Sequence, residues 1–238
     1  MAAWIAVIAA VVSGLFALAT LWLTRRQALK DRLTAADEVA MDFRMPLLAA
    51  ASDLQARFFN IRRQEFLVRF ADPAASRARP EYPVDHTLYL IAQYFCYAEI
   101  IRRGALFLDP VNRERQRKLI EQLEQTRDTF SRSDIDPTLC VFRGEQRAIG
   151  EVMLTETRAA PGKAREWDCM GYANFVERIP SPEVGKWFAL LRDDMVRLKD
   201  ELDSHDERLV ALQHSLIDLV CLIDPDGGHI TMNQRERL

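Results

Sequence analysis

The sequence predicts an all-α protein: a single N-terminal transmembrane helix, a cytoplasmic helical bundle, and one long C-terminal coiled-coil-like helix. Three observations carry that expectation. Residues 4–23 contain no charged side chain, residues 86–108 are apolar almost all the way round, and apolar residues recur at alternating spacings of four and three between Val184 and Ile223.

The uncharged run is read as a membrane anchor. At 1.5 Å per residue, Trp4 and Trp22 stand about 27 Å apart, near the two interfaces of a hydrocarbon core of about 30 Å. Arg25, Arg26, Lys30 and Arg32 follow at once, and no charged side chain precedes Trp4. That bias places the N-terminus outside and the remaining chain in the cytoplasm, in a plasma or inner membrane. A cleaved secretory signal, with Ala17-Leu18-Ala19 as its site, is the competing reading. It wants positive charge before a shorter apolar core, and here the charge comes after a longer one. Ala2, Ala6, Ala10 and Gly14 form a small-residue face on which two anchors could approach.

About two hundred residues remain, enough for one sizeable core without a covalent staple. Net charge is −3 with both signs interspersed, so no basic face for nucleic acid emerges. Cys96, Cys140, Cys169 and Cys221 contain no C-x-x-C pair, and His86, His205, His214 and His229 are as dispersed. No metal or other cofactor is implied.

The expected divisions are an anchor over 1–24, a juxtamembrane stalk and amphipathic helix over 25–72, a helical core over 73–180, a long helix over 181–224 and a polar tail over 225–238, frayed from Asn233 on. In the second division, Pro46 should interrupt the stalk. Leu47, Ala51, Leu54, Phe58 and Ile61 then make one apolar stripe. Residues 86–108 are the expected hub. A second membrane span there is the alternative, although Gln93 and Glu99 leave its apolar run too short. Residues 111–133 should be an outer charged helix. Residues 138–142 are strand-like in composition, residues 145–157 are helical after Gly144, and residues 158–171 are a loop. Residues 172–178 can form a short helix.

In the last helix, Ser181 is the expected N-cap and Pro182 the first helical position. Its seam runs through Val184, Phe188, Leu191, Met195, Leu198, Leu202, His205, Leu209, Leu212, Leu216, Leu219 and Ile223. Such a helix would be about 60 Å long and would offer residues 184–223 to a second copy or another protein. The e and g charges do not select a parallel partner, so packing within one chain stays open.

The candidate site is an anion or ligand cluster of Glu99, Arg102, Arg103, Arg143, Glu145, Arg147 and Glu151. Glu99 precedes Arg103 by four residues, which suits a helical ion pair that fixes packing. Residues 142–151 combine two glycines with dense charge, and backbone amides at a helix start beside Arg143 and Arg147 would suit a phosphate or carboxylate. A solvated helix, with Gly150 allowing close helix contact, explains the same residues. His205-Asp206 reads as a polar seam position, and Asp224 to Gly228 as a helix-ending turn, since position twelve of a calcium loop lacks its glutamate. Two functions follow as expectations: a membrane-tethered interaction or scaffold module, or a membrane-anchored enzyme or ligand sensor with an Arg/Glu-lined cleft.

Overall fold

The computed structural model describes residues 14, 20–27, 44–70, 79–104, 113–156, 167–231 and 235–238. They are mostly helical, as the apolar periodicities require. Helix α1 covers residues 44–64, and its predicted stripe is wholly buried. Glu65 then takes a left-handed conformation (φ 49°, ψ 41°) that turns the chain into the single turn α2, Phe66–Arg69. Helix α3, Tyr82–Gly104, is the hub: Leu88, Ile91, Tyr94 and Phe95 all lie in the core. It packs on α5, Arg143–Met153, while the charged α4, Arg113–Ser131, packs on α10, Glu207–Ile223.

The expected membrane placement is corrected. Among the described residues no helix is long and apolar enough to cross a membrane. Residues 4–13 and 15–19 of the expected span lie outside the described residues. Residues 20–27 are helical. They also carry Arg25 and Arg26, the latter lying 4.7 Å from the Trp22 ring centre. The expected stalk over residues 28–43 lies outside the described residues as well.

A small strand pair forms away from the residues that are strand-like in composition. Residues 138–142 are irregular, and an antiparallel pair forms instead between β1, Leu154–Glu156, and β2, Trp167–Cys169, with Thr155 opposite Asp168. Local composition could not show it, because the pairing joins segments ten residues apart in sequence.

The expected short helix forms as α6, Tyr172–Arg178. The long C-terminal helix is broken into α7 (Pro182–Gly185), α8 (Ala189–Asp200), α9 (Leu202–His205) and α10. It begins where expected, with Ser181 as N-cap and Pro182 at the first position. Turns at residues 186–188 and around Glu201 then redirect it. A straight rod of about 60 Å would outrun one core, whereas the breaks keep Val184, Phe188, Leu191, Met195, Leu198, Leu209, Leu212, Leu216 and Leu219 in a single cluster with α1 and α3. The seam therefore faces the chain's own interior.

Polar contacts hold the breaks and the α4–α5 connection in place. Arg208 is completely buried and donates to the carbonyl oxygens of Thr129 (2.7 Å), Phe130 (3.2 Å), Arg132 (2.6 Å), Asp136 (3.0 Å) and Thr138 (3.1 Å). It thereby satisfies the orphan carbonyls at the C-terminus of α4, where the helix dipole favours a cation. Buried Leu139 has φ 61°, and its amide donates to Asp194 at 2.9 Å. His205 meets Asp136 at 3.0 Å, which explains the polar interruption of the seam by a contact inside the chain.

The described residues of the tail are packed against the fold. Asp224 accepts the amides of Gly228, His229 and Ile230 and pairs with Arg235 at 2.8 Å. Gln213 donates to the Glu236 carbonyl at 2.8 Å and to Gln55 of α1 at 3.3 Å.

Candidate functional site

The hub and α5 can approach closely because residue 150 lacks a side chain. A β-carbon there would stand 2.7 Å from the Phe95 carbonyl oxygen and 3.1 Å from the Glu99 β-carbon, closer than packed atoms tolerate. Gly150 thus sets the helix separation that brings Glu151 beside the end of α3.

Glu99 is 5% exposed and is satisfied from its own helix. Arg102 grips it with two bonds, Nε to Oε2 at 2.7 Å and Nη2 to Oε1 at 2.5 Å, and Arg103 Nε adds a third at 2.8 Å. Burial alone would raise the Glu99 carboxyl, but hydrogen bonds from Arg102 and Arg103 and their charges outweigh it and hold the group below its ordinary value. Arg103 also donates to Glu151 at 3.2 Å and stands 5.5 Å from the Trp167 ring centre. This ordered array joins α3, α5 and β2.

Arg147 lies one turn before Glu151, is exposed, and makes no ion pair among the described residues. With Arg102, Glu99 and Gln146 it lines a cavity of about 20 Å³. A water needs about 10–15 Å³, so the space suits one water and no larger ligand. The Gln146 amide nitrogen donates to the carbonyls of Arg127 and Val141 at 3.0 and 2.8 Å, while its buried Oε1 has no partner.

The remaining two members of the predicted cluster lie at the other end of α5. Arg143 donates to Glu124 at 2.6 Å and to Asp128, pinning α5 to α4. Glu145 accepts the Phe142 amide at 3.0 Å. The chain's own carboxylate therefore already engages the start of this helix, where a foreign anion was expected. Glu99, Arg102, Arg103, Arg147 and Glu151 come together; Arg143 and Glu145 do not join them.

A larger hollow of about 480 Å³ lies between the α1–α2 and α8–α9 junctions, lined by Arg62, Glu65, Leu198 and Glu201 among others. None of the predicted site residues reaches it. Its Arg62 is engaged by Asp203 at 3.1 Å and Asp206 at 2.5 Å.

Sequence reasoning missed a second polar centre. Arg57, on the buried side of α1, is 8% exposed, and Nη2 lies 2.6 Å from His86 Nδ1. Its cue was a charge immediately before stripe residue Phe58. Among the described residues, no group of His, Cys, Asp and Glu is arranged to hold a metal ion. No protein-family model matches the chain, and no characterised protein or solved structure is significantly similar to it.

Proposed function

We propose that the chain is a helical interaction module whose recognition face is the arginine surface of α3 and α5, and that it docks a carboxylate-rich segment of another protein. The observation that carries the reading is Arg147, an exposed guanidinium without an ion partner among the described residues, set beside Arg102 across the α3–α5 contact. Glu99 fixes one edge of Arg102 and Arg103. Their side chains are 43% and 33% exposed, so further donors are accessible to a partner. A preorganised guanidinium loses less freedom on binding than a solvated lysine and matches carboxylates bidentately.

The enzyme or small-molecule sensor reading has less support at this face. Small-molecule sites occupy about 300–1,000 Å³, and the hollow between Glu99 and Arg147 has about 20 Å³. The seam of residues 184–223 likewise loses its support as a partner surface, because its apolar residues pack against α1 and α3.

The test is binding of glutamate-rich and lysine-rich peptides to the full chain, measured by calorimetry at two salt concentrations. Acidic peptides should bind, more weakly at high salt, and Arg102→Ser with Arg147→Ser should weaken them by about tenfold or more. Equal binding by the double variant, or no preference for acidic peptides, would refute the proposal.

A further inference from the structure

One face of the hub carries a thiol that the arginine surface does not use. Tyr89, Cys96 and Arg103 follow one another at intervals of seven residues along α3, about two turns, and so share a face. On β2, Trp167 and Cys169 are two residues apart and share a face of the strand. The two faces meet. Arg103 stands 5.5 Å from the Trp167 ring centre, and the hydroxyl of Tyr97, next to Cys96, donates to Asp168, next to Cys169, at 3.1 Å. Hub and strand run side by side in this register, which brings Cys96 to Cys169, and the two thiols share a hydrogen bond.

The two sulfurs differ in access. Cys96 is completely buried in the core, whereas Cys169 packs on the core and is half-buried. The hydrogen bond with Cys169 and burial hold the Cys96 thiol far above its ordinary value, so it keeps its proton. Burial, and then the Cys169 and Cys96 thiols, push the Tyr89 hydroxyl up to about 12, which places that ring beside the same pair. The other two cysteines have different surroundings. Cys140 Sγ lies 3.8 Å from the Arg132 carbonyl oxygen, and exposed Cys221 Sγ lies 3.9 Å from Arg235 Nη1. An accessible thiol beside an enclosed one is the arrangement in which an oxidised cysteine is resolved by its neighbour.

We propose that Cys96 and Cys169 are a dithiol pair that a hydroperoxide converts to a disulfide, with Cys169 reacting first and Cys96 resolving it. Cys169, as its thiolate, attacks one peroxide oxygen. The O–O bond breaks, the sulfur becomes a sulfenic acid, and the other oxygen leaves, protonated, as water or an alcohol. Cys96 then attacks the oxidised sulfur, the S–O bond breaks, and the departing hydroxide takes the Cys96 proton to leave as water. The two thiols together lose two electrons and two protons, and the peroxide gains both. Strand β2 is three residues long and is paired only with β1, so it can follow the sulfurs as they close. The bond ties β2 to the hub and fixes Trp167 under Arg103.

The experiment is titration of the full chain with hydrogen peroxide, followed by thiol blocking, digestion and mass spectrometry of the unreduced peptides. The expected product is a single chain in which the Cys96 peptide is joined to the Cys169 peptide, and dithiothreitol restores both thiols. Its melting temperature should rise by about 5 °C or more, because the bond closes a long loop. Cys96→Ala leaves Cys169 without a resolving thiol, so it should carry Cys169 on to sulfinic acid at peroxide concentrations where the wild type stops at the disulfide. Cys169→Ser, a change at the more accessible position, should leave Cys96 a thiol at those concentrations. Linkage of Cys96 or Cys169 to Cys140 or Cys221 in place of one another would overturn the assignment. So would wild-type Cys169 that reaches sulfinic acid as readily as in Cys96→Ala, or survival of both thiols at peroxide concentrations that oxidise exposed Cys221.

Discussion

Arg208 on α10 donates to the carbonyl oxygen of Arg132, just beyond the end of α4, at 2.6 Å. Five carbonyls share this one side chain, and it carries no carboxylate partner among its bonds. Arg208→Met should therefore leave several buried acceptors unsatisfied and cost about 3 kcal/mol or more. Arg208→Lys, with a point charge and three donors, should recover only part of that. Urea denaturation of both variants measures the difference. A change below 1 kcal/mol for Arg208→Met, roughly the worth of one ordinary bond, would contradict the cap.

Gly150→Ala tests the α3–α5 contact. The added methyl has to displace the Phe95 carbonyl, which belongs to the hub backbone and not to a flexible side chain. The expected cost is about 1–3 kcal/mol, although alanine is the better helix former by about 1 kcal/mol. Thermal unfolding that shows a stabilised variant would mean that the helices stand further apart.

The Arg57–His86 contact predicts a pH dependence. Burial and the Arg57 charge push the His86 pKa down from 6.5 to about 4. Between those values the unfolded chain binds the proton and the folded chain does not. Stability from this residue is therefore complete above pH 6.5 and falls as pH drops toward about 4. His86→Gln, which keeps an acceptor and cannot titrate, should flatten that part of the stability curve in urea titrations. An unchanged slope would show that His86 is not held neutral.

Leu198 is 1% exposed within the seam. Leu198→Asp should lower stability by several kcal/mol, because a carboxylate would enter the core without a partner. Light scattering on the full chain should give a mass independent of concentration, with and without the substitution. A wild-type dimer that this change dissociates without loss of stability would return the seam to an intermolecular role.

What could be read from the residues was what acts over short separations. The α1 stripe, the all-round apolar α3, the Ser181-Pro182 start and the Glu99–Arg103 pair each depend on neighbours within about one helical turn. The breaks in residues 182–223 depend on distant partners. Arg208 answers carbonyls in the α4–α5 connection, and His205 answers Asp136. A heptad pattern reports only that a face is apolar, and it cannot say whether the facing surface belongs to the same chain. Arg57 was hidden for a related reason. Its significance comes from Phe66, His86 and Tyr172, which separate segments bring to it.

The cap on α4 also has a place in time. Translation runs at about 5–20 residues per second, and Arg208 lies 70 to 79 positions after the carbonyls of Thr138 and Thr129 that it binds. For on the order of ten seconds, the emerging chain holds α4 and the following connection without the side chain that closes them. Gln213 meets Gln55 across 158 positions, a longer wait still. The part of the α1 and α3 core that α8 and α10 complete stays open on the ribosome until the carboxyl-terminal quarter arrives, which leaves that interval as one in which the nascent protein is open to aggregation or to capture by a chaperone.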